Sequence, residues 1–190
     1  MFADVFEACP YEKVSNLQEA KAFWERWVEG EGYEGVVARS RFGGFKIKPE
    51  TTVDAAVIGV NKRPALKQGR VTSLALALMD KDRTLIHIGD VSSGIDPETG
   101  HRLYALVKHF KVGEDRETIY VQPFLIVEVR FFDIYPSQRP AWKWVNGQYR
   151  PQPPRNLCTL KSPVLLRFRE DKKLTPQDLR LDQIPYSFRG

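Results

Sequence analysis

Cysteine, histidine and methionine are scarce here: two Cys, three His and two Met in 190 residues. Cys9 and Cys158 are far apart and lack metal-ligand spacing, so they read as two reduced thiols of an intracellular protein, with a disulfide between them left open. His87, His101 and His109 share no ligand spacing either, and no Ser/His/Asp arrangement is visible. No apolar run is long enough to span a bilayer, and Met1-Phe2-Ala3-Asp4 lacks the basic-then-apolar order of a signal peptide. These absences exclude a disulfide scaffold, a His/Cys metal centre, a serine-triad hydrolase and a helical membrane protein. One absence is regional: no Asp or Glu occurs from Ile134 to Arg169.

What is present is ordinary for a folded chain, with 42% apolar and 28% charged residues and 13 each of Gly and Pro. This length can bury one good core or two small ones. The acid-free stretch carries Arg139, Lys143, Arg150, Arg155, Lys161, Arg167 and Arg169, whereas the rest of the chain holds 22 basic and 24 acidic residues. The net charge of +5 therefore belongs to one region, as expected of a polyanion contact. Tyr135, Trp142, Trp144 and Tyr149 are interleaved, and are expected to pack on sugars or bases while the cations meet phosphates. The alternative is a solvated loop with incidental arginines.

Pattern divides the chain near residue 50. Residues 2–8 alternate and predict a strand. Ser15-Asn16-Leu17-Gln18-Glu19 holds two overlapping capping boxes, Ser15 with Gln18 and Asn16 with Glu19. Leu17, Ala20, Phe23, Trp24, Trp27 and Val28 then recur at helical spacing as a core stripe, stopped by Gly30 and Gly32. Strands over 34–39 and 45–48 flank a turn at Gly43-Gly44, and Pro49 to Thr52 reads as a linker. Beyond it strands are predicted over 54–60, 70–78, 84–91, 125–135 and 164–168, with a helix from Pro97 to about Phe110 capped by Asp96. Val145-Asn146-Gly147-Gln148 predicts a hairpin turn inside the basic insertion, at about 136–163. Five strands with a helix after the third is an OB-fold arrangement.

Three motifs carry chemistry. Glu34-Gly35-Val36-Val37-Ala38-Arg39 places a carboxylate at the mouth of an apolar strand. Phe45-Lys46-Ile47-Lys48-Pro49 places two ammonium groups at i and i+2, on one face of an extended segment. Arg169-Glu170-Asp171-Lys172 follows the last strand. Their order resembles motifs IV, V and VI of ATP-dependent DNA ligases and their covalent nucleotidyltransferase relatives, and Asp54-Ala55-Ala56-Val57-Ile58-Gly59 resembles the strand that opens the ligase OB-fold.

The resemblance implies an α+β, mostly β chain: residues 1–50 as the end of a nucleotidyltransferase (ATP-grasp-like) domain and 51–190 as a five-stranded OB-fold barrel. It implies Glu34 as the metal residue for Mg²⁺, Lys46 and Lys48 as catalytic contacts to the α-phosphate of ATP, and Arg39 at the end of motif IV. It implies Arg169, Asp171 and Lys172 as residues that orient the β- and γ-phosphates after closure about a hinge at Glu50 to Val53. Arg139, Lys143, Arg150, Arg155 and Lys161 are the expected contacts to nicked double-stranded DNA in repair or replication. The family's nucleophilic Lys-x-Asp-Gly motif is absent, so the chain is expected to need a missing N-terminal segment or a separate chain for it and not to be self-sufficient. A cytoplasmic setting, prokaryotic or viral, and no membrane partner are expected. Two rivals stay open: the equivalent part of an RNA ligase, and a non-catalytic nucleic-acid-binding OB-fold protein. Ser92-Ser93-Gly94 reads either as a phosphate cradle or as an ordinary turn.

Overall fold

The computed structural model describes residues 9–184; the strand expected over 2–8 lies outside them. The chain forms two units, Met1–Pro49 and Glu50–Gly190. In the first, α1 (Leu17–Trp24) runs into a π-helical turn, Glu25–Gly30. Of the two capping boxes, the second is realised in its forward half, and its Glu19 reaches back one residue beyond the cap. The Asn16 side chain accepts from the Glu19 amide at 2.9 Å, and the Glu19 carboxylate accepts from the Ser15 amide at 2.7 Å. Strands β1 (Val36–Ser40) and β2 (Gly43–Ile47) pair antiparallel. The turn falls on Arg41-Phe42, ahead of the expected Gly43-Gly44, which is drawn into β2. The predicted helical core stripe is only partly covered. Val28 is buried, but Leu17 is exposed, as are Phe42 and Phe45, because a helix and a two-stranded hairpin offer too little surface to close over each other.

The second unit is built from β3 (Thr51–Asn61), a short α2 (Pro64–Lys67), β4 (Leu74–Met79), β5 (Thr84–Val91), α3 (Pro97–Phe110), β6 (Lys111–Glu114), β7 (Thr118–Val121), β8 (Ile126–Phe131), β9 (Asp133–Val145), β10 (Gln148–Lys161) and β11 (Val164–Phe168). β5, β4, β3, β8 and β11 are neighbours in that order, all antiparallel. The sheet curls shut where Ser93, just past β5, bridges Val164 in parallel and its carbonyl accepts from the Leu165 amide at 2.9 Å. Gly94 permits this closure, since a Cβ there would stand 2.2 Å from the Leu165 carbonyl oxygen. That assigns Ser92-Ser93-Gly94 a structural job. This is the five-stranded barrel with a helix after the third strand that the pattern predicted.

Alternation within β4 explains its complete burial. Leu74, Leu76 and Leu78 point into the barrel core, while Ala75, Ala77 and Met79 join a second apolar layer on the outside with Ala56, Ile58, Leu85 and Leu179. The small outward side chains leave room for a cover. β3 changes partner midway: Thr51–Ala56 pair with β8 and Gly59–Asn61 with β7. Gly59 allows the change, because a Cβ would meet Thr118 Cγ2 at 2.7 Å. The hairpin β6–β7 and helix α2 were not foreseen. The predicted linker is shorter than expected, as Thr51 and Thr52 already belong to β3, and Val53 is buried against β8. A hinge at Glu50 to Val53 is thus corrected: most of that stretch is barrel strand. Among the described residues, no helix is long and apolar enough to cross a membrane.

Candidate functional site

In the first unit the hairpin register sets Val37 opposite Lys46 and Arg39 opposite Gly44. Opposed residues share a face, and side chains alternate along each strand. Arg39 and Lys46 therefore stand on one face, with Lys48 continuing it, while Val36, Ala38, Phe45 and Ile47 take the other. Glu34 lies just before β1 and its carboxylate is ion-paired with the Lys48 ammonium. Gly35 makes this possible. With φ +158, its Cα passes so close to β2 that a Cβ would stand 2.3 Å from the Ile47 carbonyl oxygen. Any larger residue would push the Glu34 segment off Lys48.

Glu34 is 79% exposed, and among the described residues no three His, Cys, Asp or Glu cluster as a metal cage. Mg²⁺ seldom needs such a cage, being held by one or two carboxylates, water and substrate phosphate oxygens. An exposed glutamate beside two lysines fits that mode.

In the second unit, β9 and β10 form one long hairpin over 133–161, closed by Asn146 (φ 50) and Gly147 (φ 77), both in the left-handed region that such a tight turn demands. The register places Lys143 opposite Arg150 and Arg139 opposite Arg155. The other face carries Trp142, Trp144 and Tyr149, which pack on the outer apolar layer of the barrel. Trp144 and Tyr149 ring centroids are 4.9 Å apart, and the Tyr149 hydroxyl donates to the Val121 carbonyl at 2.8 Å. Burial holds that phenol far above its ordinary range. The expectation that these aromatics meet bases is thereby corrected for all three. Tyr135 remains exposed, with the Lys161 ammonium 5.3 Å from its ring centre.

The cations differ in how they are held. Arg139 is turned inward, donating to the His87 carbonyl at 3.0 Å and to its Nδ1 at 2.7 Å. A guanidinium only donates, so the His87 proton sits on Nε2, facing Asp90 at 3.1 Å. Lys143 and Arg155 flank Asp82 at 3.6 and 3.3 Å. A hydrogen bond from Thr84, then these two cations, keep the Asp82 carboxyl below its usual range despite some burial. Arg150 is exposed at the tip.

The Arg-Glu-Asp-Lys segment leaves β11 as a turn with its own ion pairs. Asp171 accepts from Arg169 Nε at 2.9 Å and from Nη2 at 2.8 Å, which holds its carboxyl far below the usual range. Lys172 reaches Asp178 at 3.4 Å. Arg169 also donates to Asp54 on β3, at 2.8 and 3.1 Å. The Asp54 contact was invisible in sequence, since 115 positions separate the partners.

A family model described as "ATP dependent DNA ligase C terminal region" matches residues 67–172, ending on that lysine. The chain belongs to this family. It is 29% identical over 173 residues to a DNA ligase of Methanopyrus kandleri, covering 85% of this chain and 28% of that protein. It is 25% identical over 170 residues to a probable DNA ligase of Streptomyces griseus, covering 84% and 30%. The chain thus spans less than a third of these relatives. The solved structure named Pmar-Lig_Pre shares the fold, with a TM-score of 0.51 at 20% identity over 82% of this chain and 32% of that one. The family match covers β4 through the Arg-Glu-Asp-Lys turn and leaves the Glu34 hairpin outside it.

Proposed function

We propose that this chain is the C-terminal portion of an ATP-dependent DNA ligase, joining the end of an adenylation domain to its OB-fold barrel and acting on nicked duplex DNA. The observation that carries the reading is the first hairpin: Arg39, Lys46 and Lys48 stand on one face with Glu34 at its edge. Lys46 and Lys48 would hold the α-phosphate oxygens and offset charge as it builds at phosphorus. Glu34 would hold Mg²⁺, which when bound adds a divalent positive charge at the same phosphate. Arg169, Asp171 and Lys172 would orient the distal phosphates of ATP. The activated lysine must come from residues outside this chain or from a second protein, since no Lys-x-Asp-Gly occurs here. Lys143, Arg150, Arg155 and Lys161 would contact DNA phosphates, while Arg139 braces their hairpin.

Capture of this chain from an extract of its source, supplied with labelled ATP and Mg²⁺, is expected to recover a lysine adenylate on a longer form of the chain or on a bound partner. In that assembly Glu34→Ala should lower nick sealing about 100-fold or more and leave DNA affinity unchanged. Full sealing by the variant would remove the catalytic assignment.

The hairpin supports a second reading, a non-catalytic nucleic-acid binder, because its cation face is complete without the first unit. Either reading requires affinity to fall steeply with salt, with a log–log slope of about −3 to −4 for four neutralised phosphates. A flat response would remove the DNA face altogether.

A further inference from the structure

Arg169 is enclosed by carboxylates at the barrel end where β3 begins and β11 finishes. Its guanidinium donates to both Asp54 oxygens through Nη1 and to both Asp171 oxygens through Nε and Nη2, and Glu128 stands 3.7 Å from Nη1. Its side chain is 15% exposed. Two oxyanion groups gripping one fork is the geometry that two phosphate groups would offer the same side chain. Arg169 is therefore already saturated before any nucleotide arrives.

The two carboxylates are not equivalent. Asp171 shares a turn with Arg169 and is 63% exposed, so it moves with the arginine and can turn to water. Asp54 is 14% exposed and fixed: its amide donates to Gln183 Oε1 at 2.7 Å, and Gln183 Nε2 donates to its carbonyl at 3.1 Å. The Arg169 amide is tied to the Ile126 carbonyl at 2.8 Å, leaving the side chain as the part free to leave. Swinging it toward a ligand strips Asp54 of its nearest cation in a poorly hydrated place, which opposes the swing.

We propose that Asp54 is a positioning residue that competes with polyphosphate for Arg169 and so sets how readily the turn after β11 engages the distal phosphates of ATP. This rests on the ligase reading for the identity of the ligand. Asp54 touches no reacting atom; it acts through Arg169. The competing interaction is one carboxylate exchanged for phosphate oxygens on the same guanidinium, with no bond made or broken.

Calorimetric titration of the full 190-residue chain with inorganic tripolyphosphate at constant ionic strength tests the exchange. Asp54→Asn is expected to bind about tenfold tighter than the wild type, a usual size for coupling between competing contacts. The gain should vanish when Arg169→Ala is added. An unchanged or weaker affinity in Asp54→Asn, or a gain that survives Arg169→Ala, overturns the proposal; a purely structural role would change melting without this Arg169-dependent gain. Should Asp54→Asn not fold, the wild type labelled with ¹⁵N-arginine decides. The Arg169 Nε–H resonance is expected to move on saturation with tripolyphosphate, and a stationary resonance overturns the exchange. Absence of any lysine adenylate in the captured assembly, with tripolyphosphate competition intact, would instead remove the ligase reading and leave the Asp54–Arg169 exchange standing.

Discussion

Tyr120 donates its phenolic hydrogen to Asp115 at 2.7 Å while its ring packs near Trp142 and Tyr149. Burial first, then the bond to Asp115, push its ionisation up to about 12. Because the folded value lies above the unfolded one, near 10, the stability it contributes is fully present below pH 10 and is lost as pH rises through about 12. Melting temperatures measured from pH 9 to 12 should therefore fall more for the wild type than for Tyr120→Phe. Parallel curves would show that the phenol does not couple to folding. Nothing local in Asp115 to Tyr120 announced this, whereas the i, i+2 spacing of Lys46 and Lys48 announced their shared face at once. The difference is physical: strand alternation is set by backbone geometry, and a phenol's surroundings are set by whatever folds over it.

Among the elements, the β9–β10 hairpin was legible in its turn and illegible in its orientation. Asn146-Gly147 predicted the reversal, and alternation predicted two unlike faces. Which face meets the barrel depends on β4 offering Ala75 and Ala77 outward, beside Ala56 of β3, so that large rings can lie over them. Trp142→Ala should accordingly destabilise the fold by about 3 kcal/mol, read as a lower denaturant midpoint, with DNA affinity per folded molecule unchanged. A variant with wild-type stability and weakened DNA binding would return Trp142 to the nucleic-acid face. The capping box shows the same limit at smaller scale: two overlapping boxes fit the sequence, and the helix took Asn16, the later of the two candidates, as its cap.

At the scale of the whole molecule, the two units differ in how complete they are. The barrel carries two apolar layers and closes on itself, whereas the first unit leaves Phe42 86% and Phe45 70% exposed. Removal of residues 1–49 should therefore shift the main thermal transition by less than about 3 °C, and a drop of 10 °C or more, about 3 kcal/mol for a domain of this size, would show that the barrel depends on them. By itself, the sequence determined the strand and helix order of the barrel, the hairpin turn, the lone carboxylate with its facing lysines, and the missing nucleophile. Those properties depend on backbone periodicity and on residue identity, both local. Only the tertiary structure decided that Trp142, Trp144 and Tyr149 face a second core, that Arg139 is spent on His87, and that Asp54 holds Arg169. Each depends on partners dozens to more than a hundred positions away, and a side chain's availability is fixed by what the completed fold lays against it.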